Sequence, residues 1–286
     1  MVVADNLAMH HSLALLGDAA ARVRFCHCDV RAPEDVERLP PGPYDRVYHL
    51  AASFANARSI EHPELDLRTN VEGTRHVLAF ARRAGCGLFV YTGSSSSYGE
   101  GPLPLQEGAP ITPSTPYALS KRLGEGLVAG AGLPYAVFRL FNVYGPGDPP
   151  GAYRNAIPNM MASLVRPGGC IEVLGADATR DFTYVDDVGA VLAEAQRAEG
   201  ELVNVGTGVE TPVLELARRI LRLFDAGEDR LRLGPPRAWD KVPRRVADTT
   251  KLRGLFPGAC AMTLAEGLPR AAAWLHGAGY LPRGPL

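Results

Sequence analysis

The chain has 286 residues, 46% of them hydrophobic, and a formal net charge of −1, so it is long and apolar enough for a proper core. With arginines scattered rather than clustered, it presents no basic field for nucleic acid or an anionic membrane, and neither partner is expected. No apolar run reaches the 18 or so residues of a membrane-spanning helix, and the N-terminus lacks a signal-peptide profile, so a cytoplasmic location is expected.

Short β-rich runs alternate with helical patterns through the first half. Val2 to Ala4, Val23 to Cys28, Arg46 to Leu50, Leu88 to Thr92 and Ala136 to Leu140 read as strands, with helices at Leu65 to Ala84 and Pro116 to Ala131. The second strand holds Cys26-His27-Cys28, but no further ligand cluster completes a metal site, and none is expected; five cysteines are too sparse, and odd in number, for a disulfide framework. After Asn142 the texture changes. Gly145 to Gly151 is a loop, Ile157 to Arg166 a helix and Ile171 to Leu174 a strand. Asp181 to Arg197 reads as a strand and helix returning to the first domain, and Leu202 to Val205 as a further strand. Thr211-Pro212 caps a helix running to Phe224, and a last helix covers Leu264 to His276. Strands alternating with helices predict an α/β fold, a Rossmann-like doubly wound parallel sheet, with a smaller, discontinuous α/β domain beside it. The expected division is 1–144 plus 179–205 for the first and 145–178 plus 206–286 for the second.

Parallel α/β sheets bind ligands beyond the carboxyl ends of their strands. Polar or small clusters stand at each such end here: Asp5-Asn6, Asp29-Val30, Ala51-Ala52, Ser94 to Ser97, and Asn142. Five in succession mark a binding site. Tyr117 and Lys121 supply chemistry. The lysine is one of only three in the chain, and on a helix that Thr115-Pro116 would start it shares a face with the tyrosine four residues before it. A neighbouring ammonium favours the phenolate and makes a tyrosine usable as a general base near neutral pH.

These residues resemble the extended short-chain dehydrogenase/reductases, in particular their UDP-glucose 4-epimerase-like nucleotide-sugar epimerases and dehydratases. The matching blocks are Asp5-Asn6-Leu7, Cys28 to Arg31, His49 to Ala52, Thr69 to Thr74, Ser94 to Gly99, Tyr117 to Lys121, Arg139 to Pro146, Arg180 to Asp187, Asn204 to Gly208 and Arg237 to Asp240. The resemblance implies NAD as cofactor. Asp5 and Asn6 would hold its adenosine ribose, Asp29 and Val30 its adenine, and Ala51 and Ala52 would line the pyrophosphate path; Asn70, Thr92 and Phe141 would lie near it. Tyr117 and Lys121 would contact the nicotinamide ribose. Ser94, Tyr117 and Lys121 would be catalytic. Ser94 and Ser95 would face the sugar, and Asn142, Asn155, Arg180, Arg237 and Asp240 would bind the nucleotide diphosphate, a UDP-sugar foremost. A homodimer is implied, packed through Leu65 to Ala84 and Pro116 to Ala131.

Two departures bear on the expectation. The family opens with a strand and a glycine-rich turn that receives the cofactor pyrophosphate, whereas this chain starts at the family's second strand. Either it is a shortened form of a longer protein, the expectation adopted, or it has lost its grip on the cofactor. The second departure concerns the reaction. Where the 4,6-dehydratases carry an Asp-Glu pair after the catalytic Ser/Thr, this chain has Ser95 and Ser96; hydroxyls cannot do carboxylate acid/base work near neutral pH. The expected activity is therefore NAD-dependent 4-epimerisation of a nucleotide sugar through a 4-keto intermediate. The alternatives are a related dehydration or oxidoreduction, and a non-catalytic nucleotide-sugar-binding protein.

Overall fold

The computed structural model describes residues 1–8 and 14–282. The strands are β1 (Val2–Asp5), β2 (Arg24–His27), β3 (Arg46–His49), β4 (Leu88–Ser94), β5 (Tyr135–Leu140), β6 (Val143–Tyr144), β7 (Ile171–Leu174), β8 (Thr179–Arg180), β9 (Thr183–Tyr184), β10 (Leu202–Val205), β11 (Thr211–Pro212), β12 (Leu231–Gly234) and β13 (Arg244–Arg245). The chain folds as two compact units. The first comprises Met1–Gly93, Thr115–Phe138 and Ala198–Leu202; the second comprises Ser94–Ser114, Arg139–Arg197 and Val203–Leu286.

In the first unit β3 and β4 pair in parallel, Arg46 opposite Leu88 and His49 opposite Tyr91. They form one side of a sheet ordered β10-β5-β4-β3. Every residue of β4 is buried, as a parallel strand covered on both faces must be. The sequence predicts one continuous sheet, but β1 and β2 pair in parallel as a separate two-stranded sheet, Val2 opposite Arg24 and Asp5 opposite His27.

Among the described residues the α-helices of this unit are α1 (Pro33–Glu37), α2 (Asn56–Glu61), α3 (Pro63–Asp66), α4 (Gly73–Arg83) and α5 (Pro116–Ala129). The single helix expected over Leu65 to Ala84 is corrected to three pieces. Pro63 starts it earlier, because proline suits a first helical turn whose N–H has no partner. A π-helical segment, Leu67–Glu72, then separates α3 from α4 and carries Asn70. Val77, Leu78 and Ala81 of α4 pack on Phe89 and Tyr91 of β4, Val128 of α5 and Val137 of β5.

The second unit contains α6 (Ala156–Leu164), α7 (Val185–Ala193), α8 (Val213–Leu223), α9 (Thr250–Leu255) and α10 (Leu264–Gly277). Ile157, Met160, Met161 and Leu164 follow helical spacing and meet Leu216, Ala217 and Ile220 of α8 and Leu268, Ala271 and Leu275 of α10 in one core. Thr211-Pro212 is not the expected helix cap. Both residues form β11, with Thr211 opposite Arg180, and α8 starts at Val213 without a side-chain cap. The β-branched Thr211 is buried in that ladder, so its side chain serves packing rather than an open helix end.

Candidate active site

The first unit builds a buried polar cluster around Lys121. Thr115 caps α5 by accepting from the Ala118 N–H at 3.2 Å, and Pro116 takes the first helical position. Tyr117 therefore stands in the first turn and Lys121 one turn further on the same face. The lysine is 3% exposed. Its Nζ lies 4.6 Å from the centre of the Tyr91 ring, and the Tyr91 hydroxyl donates to the Lys121 carbonyl at 3.5 Å. Burial draws the ammonium down to about 8, against the opposing pull of Glu125 and Asp66.

Asn70 organises the floor of this cluster. Its Oδ1 accepts from the Ser53 N–H at 2.8 Å, while Nδ2 faces the Ser53 carbonyl at 2.9 Å, Ser120 Oγ at 2.9 Å and Asp66 Oδ1 at 3.3 Å. The amide thus ties the loop after β3 to α3 and to the residue preceding Lys121. Below it His49 shares a hydrogen bond with Thr74 Oγ1 at 2.9 Å, and burial first, then the Lys121 charge, draws its imidazole down to about 3. Sequence reasoning singles out Asn70, Tyr117 and Lys121 but misses Ser53, Asp66, Tyr91, Ser120 and Glu125. Each reads locally as an ordinary turn, strand or helix residue.

A second cluster in the same unit stands at the carboxyl ends of β1 and β2. Asp5 Oδ1 accepts from the Leu7 N–H at 2.6 Å, Asn6 Oδ1 accepts from the Ala8 N–H at 3.1 Å, and Asn6 Nδ2 donates to Asp29 Oδ2 at 3.3 Å. Arg31, not singled out as a site residue, donates through Nε to Asp29 Oδ1 at 2.9 Å, and this pairing holds the Asp29 carboxyl well below the usual carboxylate range. His76 bonds the Val30 carbonyl at 2.8 Å. Asp5, Asn6, Asp29 and Val30 are therefore gathered at one edge. Ala51 and Ala52 follow the end of β3, and Thr92 is buried in β4.

In the second unit Ser94 closes β4 and accepts from the Ser96 N–H at 3.2 Å, capping a short 3-10 turn, Ser95–Tyr98, whose residues are all buried. Phe141 is fully buried among Tyr98, Leu105 and Ala247. Asn142 donates to the Asp181 carbonyl at 3.1 Å. The Asp181 carboxylate receives Thr207 N (2.9 Å), Thr207 Oγ1 (2.6 Å), Gly208 N (2.9 Å) and Ala247 N (3.2 Å), so one buried anion holds two loops. Beside it Arg180 donates to Asp240 Oδ2 at 2.8 Å and to the Pro243 carbonyl at 3.0 Å. The structure brings Arg180 and Asp240 together, whereas Asn155 is bonded to Asp148 at 2.8 Å and the Arg237 guanidinium lies 5.7 Å over Trp239. Asp181, Thr207 and Gly208 fall within the matching blocks of the sequence, but neither they nor Ala247 are among its candidate site residues.

The chain resembles known proteins over most of its length. Residues 1–206 match the model of the NAD dependent epimerase/dehydratase family. A UDP-glucose 4-epimerase of Mycolicibacterium smegmatis is 34% identical over 233 residues, covering 78% of this chain and 74% of that protein. Among solved structures, the epimerase Mth375 of Methanothermobacter thermautotrophicus superposes with a TM-score of 0.87 at 32% identity, covering 96% of this chain and 84% of that one. The dTDP-glucose 4,6-dehydratase DesIV of Streptomyces venezuelae, solved with NAD and TYD bound, gives 0.85 at 27% identity, covering 98% of this chain and 89% of that one.

Proposed function

Because the chain belongs to the NAD-dependent epimerase/dehydratase family, we propose that it epimerises a nucleoside-diphosphate sugar at C4 through a 4-keto intermediate. The observation that carries this reading is the pairing of Tyr117 with a buried Lys121 one helical turn away on α5. NAD, when bound, supplies a hydride acceptor that becomes the donor for the return step. The residues present suit its adenosine end: Asp5, Asn6, Asp29 and Val30 share the carboxyl edge of two parallel strands, and a carboxylate there accepts ribose hydroxyls and repels an additional phosphate.

Within this reading Tyr117 removes the proton of the sugar O4 hydroxyl and returns it after the keto sugar has presented its other face. The Lys121 ammonium favours the phenolate and reaches the nicotinamide ribose. Ser94 holds the reacting oxygen. Asn70, Ala51, Ala52, Thr92 and Phe141 line the cofactor side; Ser95, Asn142, Asn155, Arg180, Arg237 and Asp240 serve the nucleotide diphosphate. Arginine suits this task because its planar fork binds phosphate oxygens bidentately. The functional division we propose is 1–144 plus 179–205 for NAD and 145–178 plus 206–286 for the sugar nucleotide, a UDP-sugar foremost. Two copies pair through the helices over 65–84 and 116–131, on which Leu67, Leu119 and Leu123 are exposed. The cytoplasm, which keeps thiols reduced, suits its five unpaired cysteines.

The kinship with dTDP-glucose 4,6-dehydratases makes dehydration the competing outcome, and Ser95 and Ser96 argue against it because neither offers a carboxylic acid. The test is incubation with NAD and a UDP-hexose, read by NMR and mass. The expected product is the C4 epimer at unchanged mass, and Tyr117→Phe should lower turnover by a factor of about 10² to 10⁴. Loss of 18 mass units would assign the dehydration instead, and a variant keeping more than about a tenth of the activity would remove Tyr117 from the base role.

A further inference from the structure

The loop after β3 carries a backbone outlier. Ala55 stands at φ 81° and ψ 116°, a conformation that a residue with a side chain disfavours. Such strain persists only where the surroundings over-determine it. On one side the Ser53 N–H donates to Asn70 Oδ1 at 2.8 Å, and the Ser53 carbonyl accepts from Asn70 Nδ2 at 2.9 Å. On the other the Ala55 carbonyl accepts from the Ser59 N–H at 3.1 Å at the start of α2. The next residue reaches furthest: Asn56 Oδ1 accepts from the Thr115 hydroxyl at 2.6 Å, across 59 positions of sequence.

Thr115 is 7% exposed, and its hydroxyl makes two bonds. It donates to Asn56 and accepts from the Ala118 N–H at 3.2 Å, capping the helix that carries Tyr117 in its first turn. A hydroxyl has one hydrogen and rotates to suit its partners. The acceptor at Asn56 settles where that hydrogen goes and thereby turns a lone pair toward Ala118. Without it the hydroxyl would be free to swing away from the helix end.

We propose that Asn56 is a positioning residue for Tyr117. Acting through Thr115, it locks the first turn of α5 and so keeps the tyrosine in one place relative to Lys121, one turn further on. The strained turn at Ala55 aims the Asn56 side chain at the helix end. The inference rests on the reading of Tyr117 as general base given above. Asn56 itself lies outside every block that carries the family resemblance.

Hydrogen exchange of the Ala118 amide, followed by NMR in the full chain, reads the cap directly. Asn56→Ala is expected to speed Ala118 exchange by roughly 2- to 30-fold, the range that loss of a cap implies. The Gly130 amide, bonded to Gly126 at the far end of α5, should keep its rate. Thr115→Val, which deletes the hydroxyl, should exchange as fast or faster, and adding Asn56→Ala to it should change nothing further. Asn56→Asp keeps an acceptor and should restore the slow rate. In turnover of a UDP-hexose, Asn56→Ala should lower kcat several-fold with KM nearly unchanged. An unmoved Ala118 rate in Asn56→Ala, or additive effects in the double variant, overturns the proposal. Should Asn56→Ala fail to fold, Asn56→Leu fills the site without an acceptor and decides by the same measurement. Exchange does not depend on turnover. An active Tyr117→Phe would therefore remove the catalytic reading while leaving the brace standing, whereas an unmoved Ala118 rate removes the brace and leaves Tyr117 as base.

Discussion

Gly124 and Gly126 lie two residues apart in α5, and replacing each by alanine separates helix propensity from packing. An alanine inside a helix is more stable than glycine by about 0.5 to 1 kcal/mol, and this gain acts at both positions. A methyl at Gly126 meets nothing within 4 Å. At Gly124 it would stand 2.7 Å from Tyr91 Cζ and closer still to the Tyr91 hydroxyl oxygen, with the Asn70 carbonyl at 3.3 Å. Tyr91 is 1% exposed and cannot swing into water. Overpacking of this kind costs about 1 to 3 kcal/mol, so packing outweighs propensity at Gly124 and has no opponent at Gly126. In thermal denaturation each kcal/mol moves the midpoint of a chain of this size by about 2 to 4 °C. Gly126→Ala should therefore melt about 1 to 4 °C higher and Gly124→Ala several degrees lower. The difference between the two isolates the packing cost, since both changes affect the unfolded chain alike. Because the Tyr91 ring carries the Lys121 ammonium on its face, Gly124→Ala should also disturb the lysine titration while Gly126→Ala leaves it unchanged. Equal stabilisation by both substitutions would refute the close approach of α5 to β4 on which the cluster depends.

Two further outcomes follow from the buried polar groups. His49 is held neutral, its imidazole drawn to about 3 from an ordinary 6.5. The unfolded chain therefore binds more protons than the folded one between those values, and the stability due to this group is present above pH 6.5 and lost as pH falls toward 3. NMR of the His49 ring should show no titration between pH 8 and pH 5, and a midpoint near 6 would contradict its burial. Asp181→Asn retains the size of the side chain but turns one oxygen into a donor. Whichever way the amide faces, two of the four groups that donate to the carboxylate lose their acceptor. At about 1 to 3 kcal/mol for each buried group left unsatisfied, urea denaturation should show a loss of about 2 to 6 kcal/mol; a loss under about 0.5 kcal/mol would mean the network is not closed by the carboxylate.

What was legible in the sequence follows the range of each signal. Tyr117, Lys121 and the Thr115-Pro116 start of α5 lie within one helical turn or next to it, so propensity and spacing place them correctly. The strand-end residues Asp5, Asn6, Asp29 and Val30 are local punctuation after apolar runs, and the parallel pairing of β1 with β2 brings them to one edge. Short pairings were illegible because two-residue strands such as β11 and β13 have no periodicity; they exist only through β8, which accepts both. The helix over 65–84 was misjudged for a related reason, since a π-helical segment keeps a helical composition while altering the turn. Least legible were the buried polar groups in the same cluster as Lys121. Asp66 precedes it by 55 positions and stands on a four-residue helix, where an acidic residue ordinarily marks a solvated first turn. What distinguishes it is burial without a hydrogen-bond partner for Oδ2, a property of the assembled unit. Local rules fail at this residue because its tertiary surroundings require what the rules disfavour, and such conflicts are expected where a fold serves chemistry. An apolar residue of similar size at position 66 would remove that conflict and leave Asn70 Nδ2 with Ser53 and Ser120 alone.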